Sequence, residues 1–134
     1  MELLANIDVD DLAIAVDFYT RALGLTVGRR FGDSGAELLG ASSAIYLLEK
    51  PAGSMASDAP GSSRQYSRHW TPVHLDFVVP EIHAACARAE SAGAKPEGRM
   101  TTHAWGHIAG YADPFGHGFC LIQFLNRGYD EIAT

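Results

Sequence analysis

An internal repeat of about 70 residues constrains the fold more than any other feature of this sequence. Shifting the chain by that amount pairs Val9 with Val79, Leu12 with Ile82 and Ala15 with Ala85. Self-similarity at a fixed period indicates one structural unit used twice. The chain has 134 residues, which is enough for one domain built from two such units.

The order of elements is the same in both halves. Residues 3–9 alternate between apolar and polar, which predicts a strand, and residues 11–23 have the apolar spacing of a helix. Three further strands are predicted at 25–31, 36–39 and 44–49. The second half repeats the order, with a strand at 73–79, a helix at 81–92 and strands at 96–103, 105–112 and 117–124.

The two halves are joined by a segment without periodicity. It is rich in Pro, Gly, Ser and Ala, which is typical of a linker. We therefore divide the single domain into module one (1–50), a linker (51–71), module two (72–126) and a C-terminal tail (127–134). A stretch of this length in a compact domain is commonly functional or mobile, and the sequence does not decide between the two.

Composition excludes several classes of function. The net charge is −6, and a nucleic-acid-binding domain would normally show a basic face. The densest basic stretch, at 64–69, is interpreted as a solvated loop. No apolar run is long enough for a membrane helix, and no secretory signal is visible, so we expect a cytoplasmic protein with no nucleic-acid or membrane partner. Cys86 and Cys120 are expected to be free thiols.

Strand alternation places a mixed set of side chains on one sheet face, opposite the apolar face. An apolar surface with a few polar groups suits a small-molecule site, and the alternative is a wet sheet face without a ligand. The candidate ligand-binding residues are Asn6, Asp8, Tyr46, His74, Asp76, Trp105 and Cys120.

Two of these residues are also candidates for catalysis. His74 and Asp76 are two positions apart on one strand, and a carboxylate there can set the tautomer or basicity of an imidazole. That arrangement permits general acid–base chemistry without a metal. The alternative is that His74 only forms a hydrogen bond within the site. His103, Trp105 and His107 also alternate, and they are predicted to share one strand face.

Four segments together resemble the vicinal oxygen chelate superfamily, which includes glyoxalase I, bleomycin-resistance proteins and extradiol dioxygenases. They read VDDL at 9–12, FYTRALGL at 18–25, VHLD at 73–76 and DPFGHGFCL at 113–121. The resemblance covers about residues 3–125. It implies an α+β fold with two tandem βαβββ modules, which form a curved mixed sheet around a cleft with helices on the outer face.

The resemblance also locates the metal ligands of the family's metalloenzymes. Those positions are the first and last strands of each module, and here they hold Leu4, Tyr46, His74 and Cys120. Leu4 offers no donor atom, Glu49 is predicted on the strand face opposite Tyr46, and Asp76 is not expected to converge with His74 on an ion. Because a catalytic site needs about three protein ligands, we expect no metal or other cofactor at the family position.

Two functions from different classes remain open. The first is a metal-independent protein that binds a small molecule, as the bleomycin-resistance proteins do. The second is a lyase or dioxygenase that uses a residual divalent metal or the His74–Asp76 pair. The sequence identifies neither the ligand nor a reaction.

We expect the protein to form a homodimer, because the family usually does and because a sheet with one covered face leaves apolar area for a second copy to bury. Light scattering should therefore give about twice the 14.4 kDa of one chain. A monomer mass at all micromolar concentrations would refute the dimer.

Overall fold

A computed structural model describes all residues, 1–134, and divides them into two compact units, Met1–Ser67 and Arg68–Thr134. Each unit has one mixed sheet and one α-helix. The predicted α+β class with two βαβββ modules is confirmed. No helix or strand is present between Glu49 and Leu75, where only an isolated bridge joins Met55 to Ser63.

The first unit follows the predicted order closely. Its strand order is β1-β4-β3-β2, with β1 parallel to β4 and the other neighbours antiparallel. The elements are β1 (Ala5–Val9), α1 (Leu12–Leu23), β2 (Thr26–Phe31), β3 (Gly35–Leu39) and β4 (Ile45–Glu49).

The second unit repeats this topology with one strand divided. Its main strand order is β5-β9-β8-β6, with β5 parallel to β9, and β7 also pairs with β8. The elements are β5 (Leu75–Val78), α2 (Ile82–Ala92), β6 (Lys95–Pro96), β7 (Thr101–His103), β8 (Gly106–Ala112) and β9 (Gly118–Phe124), followed by a short 3₁₀ turn at Gly128–Glu131.

Two expectations about this unit are wrong. The predicted strand at 96–103 is interrupted, because Gly98 adopts a φ of 79°, which an extended strand does not allow. His103 and His107 do not share a strand, because residues 104 and 105 form a tight turn and His103 pairs with Gly106 across it. Alternation in sequence does not report a shared face where the chain reverses direction.

The helices begin and end at the residues that their caps specify. Asp11 precedes α1, and its Oδ1 accepts a hydrogen bond of 3.0 Å from the Ile14 amide. Glu81 precedes α2 and accepts from the amides of His83 and Ala84 at 3.0 and 2.7 Å. Gly24 ends α1 with a φ of 67°, the left-handed conformation that favours glycine.

Each helix covers one face of its own sheet. Helix α1 packs against β3 and β4, and α2 packs against β8 and β9. The fully buried side chains include Phe18, Leu38 and Leu47 in the first unit and Ile82 and Leu121 in the second. Burying such a side chain stabilises the fold by about 1.5–3 kcal/mol. The helix therefore covers the sheet face that carries these apolar side chains. Neither helix has the length and apolar character needed to cross a membrane.

Replacing Asp11 with Ala should lower the free energy of unfolding by about 0.5–2 kcal/mol, because the Ile14 amide loses its acceptor. Urea unfolding measures this. Asp10→Ala is the matched control, because Asp10 is an exposed neighbour that does not cap the helix. An equal loss in both variants would contradict the cap.

Candidate functional site

Three predicted site residues converge in the second unit. Strands β5 and β9 are parallel, and their register places Asp76 directly beside Cys120. His74 lies just before β5, and its Nε2 is 3.2 Å from Oδ1 of Asp76. One nitrogen, oxygen or sulfur atom from each of the three side chains lies within 4.8 Å of the others. His74 and Asp76 therefore contact each other, and the expectation that they do not converge on an ion stays a prediction.

The Cys120 thiol is held in its protonated form. Burial raises its pKa to about 11, and the negative charge and hydrogen bonding of Asp76 add to the shift. A thiol with this pKa is a poor nucleophile at neutral pH, because the thiolate is the reactive species. In this cluster Cys120 is a hydrogen-bonding partner of Asp76 and not an activated cysteine.

A pocket of about 170 Å³ lies beside this cluster. It is small for a ligand site, since drug-sized pockets are about 300–1,000 Å³. Its lining combines aromatic, charged and glycine residues: Arg68, Trp70, Thr71, His74, Glu97, Gly110, Tyr111, Gly118, Phe119 and Cys120. All of these residues belong to the second unit.

Arg68 forms one wall of the pocket. It makes a two-pronged ion pair with Glu97, with Nε and Nη2 at 2.6 and 2.8 Å from the two carboxylate oxygens. A Cβ at position 118 would lie 2.7 Å from Nη2 of Arg68, so Gly118 allows the guanidinium to lie against the sheet. The ion pair raises the pKa of Arg68 and lowers that of Glu97, so both groups stay charged.

The chain next to Arg68 is also held against the turn between β8 and β9. The His69 amide donates to the Gly116 carbonyl at 3.3 Å, and the imidazole rings of His69 and His117 share a hydrogen bond of 3.0 Å. Trp70 follows and remains 79% exposed at the edge of the pocket. Arg68 and Trp70 are exposed, as expected of a solvated loop, and both also line the pocket.

In the first unit, Tyr46 belongs to a closed polar cluster. Its hydroxyl donates to Oε2 of Glu37 at 2.9 Å and accepts from Nη2 of Arg29 at 3.1 Å. Glu37 is only 6% exposed, and the hydrogen bonds from Arg29 lower its pKa to about 2. The bond to Glu37 raises the pKa of Tyr46, so the phenol is held neutral.

The remaining predicted residues are not among those that line the pocket. Asp8 forms an ion pair with Arg64, with Oδ2 at 2.7 Å from Nε. Asn6, on β1, lies beside Tyr46 of β4. The Trp105 ring stacks on His103 with centroids 5.1 Å apart, at the other end of β8 from the pocket. Trp105 is thus placed in an aromatic cluster with Phe124 and Tyr129.

The four-residue metal set of the family does not fit this chain. Leu4 has no donor atom, and the Tyr46 hydroxyl is already engaged by Glu37 and Arg29. Glu49 is not available either, because its Oε2 accepts from the Leu12 amide at 2.8 Å at the start of α1. Of the four positions, only His74 and Cys120 keep a suitable donor, and Asp76 joins them from within the same unit.

Sequence reasoning missed Glu37, Arg68, Trp70 and Glu97. A signal existed for Glu37, because it is a lone acid within the otherwise apolar strand GAELL. Arg68 and Trp70 lie on the segment without periodicity, and Glu97 lies where the predicted strand at 96–103 is interrupted. No local pattern predicts which loop residues will line a pocket.

The sequence matches the Glyoxalase-like domain family over residues 5–122. The chain belongs to this family. An uncharacterized protein of Mycobacterium bovis is 33% identical over 133 residues, which is 94% of this chain and 86% of that protein.

Solved structures share the fold at low identity. The fosfomycin resistance protein FosX from Listeria monocytogenes has a TM-score of 0.69 at 16% identity, covering 92% of both chains. TnmS3, an antibiotic-binding protein from a Streptomyces species, has a TM-score of 0.63 at 24% identity, covering 93% of this chain and 96% of its own. At these identities the likeness shows the fold of this family member and not its chemistry.

Glu37→Gln should destabilise the protein most at neutral pH. The pKa of Glu37 is lowered in the folded state from 4.5 to about 2. Its carboxylate therefore stabilises the folded state fully at pH values above 4.5, the ordinary pKa of the group. That contribution is lost as the pH falls through this range. The difference in urea midpoint between wild type and Glu37→Gln should therefore be largest above about pH 5 and shrink towards pH 2.

Asp17→Asn is the control for this experiment, since Asp17 forms an exposed pair with Arg21 at 3.0 Å. Exposed pairs contribute about 0–1 kcal/mol, so this variant should change the midpoint little at any pH. A pH-independent difference for Glu37→Gln would show that the carboxylate charge is not what stabilises the cluster.

Proposed function

We propose that this protein binds a small molecule in the pocket of the second unit and does so without the four-residue metal set of the family's metalloenzymes. The observation that carries the proposal is the pocket itself, which combines an exposed indole, a carboxylate and an imidazole around a concave surface. Such a mixture of apolar area and a few placed polar groups is typical of ligand sites.

The charges around the pocket favour a neutral or cationic ligand. Arg68 is neutralised by Glu97, so its guanidinium is not free to attract an anion. Asp76 adds a negative charge beside the pocket, and the chain as a whole carries −6. An acidic protein attracts cations and repels anions over its surface.

The shape of the pocket favours a planar group. Trp70 presents its indole at the edge, and Gly110 places no side chain on the sheet surface there. Aromatic rings stack on indole with a gain of about 0.5–1.5 kcal/mol beyond the buried area. A volume of about 170 Å³ accommodates one ring system, with the rest of a larger molecule outside.

The printed functions of two relatives in fold support binding as the general class. TnmS3 is an antibiotic-binding protein, and FosX is a fosfomycin resistance protein. By analogy, we propose that this chain sequesters a small molecule, and that it does so as a homodimer. The analogy rests on the fold, whereas the ligand class rests on the pocket.

One contact favours a second candidate, an enzyme that uses the His74–Asp76 pair. The distance of 3.2 Å between Nε2 and Oδ1 allows Asp76 to accept a hydrogen bond from the imidazole and to orient its ring. That pair supplies general acid–base chemistry for a lyase acting on a molecule in the pocket. Mass spectrometry separates the two candidates, because a binding protein returns its ligand unchanged.

A thermal-shift screen of planar aromatic amines and amides, run in the presence of a chelator, tests the proposal. Ligands that bind the pocket should raise the unfolding temperature by mass action. Trp70→Ala should weaken their binding by about fivefold or more, because stacking on the indole is lost. Direct titration followed by calorimetry gives the affinity.

Trp105→Ala is the matched control, since the chain has two tryptophans and only Trp70 lines the pocket. The control should leave ligand affinity unchanged. Equal losses in the two variants, or no stabilising compound in a screen that includes anionic counterparts, would argue against the pocket as the binding site. A product that depends on Asp76 would instead establish the enzyme.

A further inference from the structure

Four consecutive residues, 68–71, form one side of the pocket, and we call them the pocket loop. Arg68, Trp70 and Thr71 line the pocket, whereas His69 does not. The side chain of His69 instead contacts the turn between β8 and β9, at residues 113–117. Because Trp70 is the next residue along the chain, the contacts of His69 also position the indole at the edge of the pocket.

The turn at 113–117 is held together by its own hydrogen bonds. Asp113 is 2% exposed, and its Oδ1 accepts from the amides of Phe115 and His117 at 2.8 and 2.9 Å. The Asp113 amide donates to the His117 carbonyl at 2.9 Å, and the side chain of Phe115 is buried. The position of His117 is therefore set without help from the pocket loop.

Two kinds of contact hold the pocket loop against its surroundings. The first kind does not change near neutral pH. Arg68 pairs with Glu97, which raises the pKa of Arg68 and lowers that of Glu97, and the His69 amide donates to the Gly116 carbonyl at 3.3 Å. The second kind is the hydrogen bond of 3.0 Å between Nε2 of His69 and Nδ1 of His117. This contact depends on how many protons the two rings carry.

The imidazole pair can hold one extra proton but not two. A neutral imidazole has one N–H donor and one acceptor nitrogen, whereas a protonated imidazole has two donors and no acceptor. With no extra proton, or with one, one ring donates to the other. With two, both facing nitrogens of His69 and His117 carry hydrogen, and two positive charges repel each other at this short distance. The hydrogen bond is then lost.

The charged groups around the pair belong to the pocket loop, to the turn and to the chain after β6. Arg68 lies beside His69, because its Nη1 donates to the His69 carbonyl, and Glu97 pairs with Arg68. Asp113 places a carboxylate in the turn that carries His117. These groups carry two negative charges and one positive charge. A single proton on the pair balances the excess, whereas a second proton must be added beside an imidazole that is already charged.

We propose that the pair of His69 and His117 is a pH-sensitive latch, which holds the pocket loop closed near neutral pH and releases it in acid. The open loop can bind one proton more than the closed loop, so a fall in pH favours opening by up to about tenfold for each pH unit. Histidine changes its charge between pH 5 and 8, which places the release in this range. Loss of a bound molecule in acid rests on the proposed function, whereas the movement of Trp70 does not.

The test uses Trp70 as a reporter on the pocket loop itself. In the Trp105→Phe variant of the full chain, Trp70 is the only tryptophan. Time-resolved fluorescence anisotropy then measures the rotation of its indole, which quenching by a charged imidazole does not imitate. We expect the amplitude of the fast local rotation to rise at least about twofold as the pH falls from about 8 to about 5. Circular dichroism checks that the protein stays folded over this range.

Two variants, each made in the Trp105→Phe chain, remove one member of the pair. Glutamine gains no proton in this range, so His69→Gln and His117→Gln should each give the same anisotropy at both ends of the titration. His83→Gln is the matched control, because His83 is an exposed histidine on α2 that does not line the pocket. It should keep the full response to pH.

The latch is overturned if the rotation of Trp70 is the same at both ends of the titration, or if the response persists in either pair variant. It is also overturned if His74→Gln abolishes the response, because His74 lines the pocket and would then be the titrating group. The measurement needs no ligand. A ligand that binds a protein whose loop does not respond to pH removes only the latch, and a responsive loop without any ligand removes only the proposed function.

Discussion

In both units the first strand lies parallel beside the last strand, and this pairing determines which polar side chains can meet. Parallel neighbours require a long crossover connection, which here includes the helix that covers one sheet face. The other face then carries residues that are far apart in sequence. Asn6 is placed beside Tyr46 by this rule, and Asp76 is placed beside Cys120.

This parallel pairing leads to a closed polar cluster in the first unit and to a pocket in the second. The difference arises on the antiparallel neighbour of the last strand, which is β3 in the first unit and β8 in the second. In the first unit Glu37 stands opposite Tyr46 on the antiparallel side, and Arg29 completes a closed hydrogen-bonded cluster. In the second unit Gly110 stands opposite Cys120. A glycine there leaves the space that a glutamate fills in the first unit, and a pocket results.

The charged side chains on the two sheets also differ in how they are paired. The buried carboxylate of Glu37 is neutralised by Arg29, as a buried charge requires. In the second unit the corresponding space is bordered by an ion pair from a loop, Arg68 with Glu97, and Asp76 is left to interact with His74 and Cys120. The polar cluster of the first unit is closed by Arg29, whereas the polar groups of the second unit lie beside a pocket.

Sequence patterns predicted the elements because hydrophobic periodicity and caps are local. Asp11, Gly24 and Glu81 mark helix ends that the structure reproduces. The predicted strand at 96–103 and the predicted shared face of His103 and His107 are wrong because the chain turns there, at Gly98 and between His103 and Gly106. Apolar and polar residues can alternate through a tight turn as they do along a strand, so the pattern does not reveal the turn. The same pattern predicts Trp105 on the face of the candidate site residues.

The sequence by itself determined the helix boundaries and the strand faces of His74, Asp76 and Cys120, because each depends on residue order within a short window. It also determined the two-module architecture, because the same order of elements repeats after about 70 residues. Only the tertiary structure decided that these three side chains meet, that Tyr46 is bound to Glu37, and that Arg68 and Trp70 form a pocket wall. Those facts depend on strand register and on where a loop without periodicity lies, and both are set by contacts between residues distant in sequence.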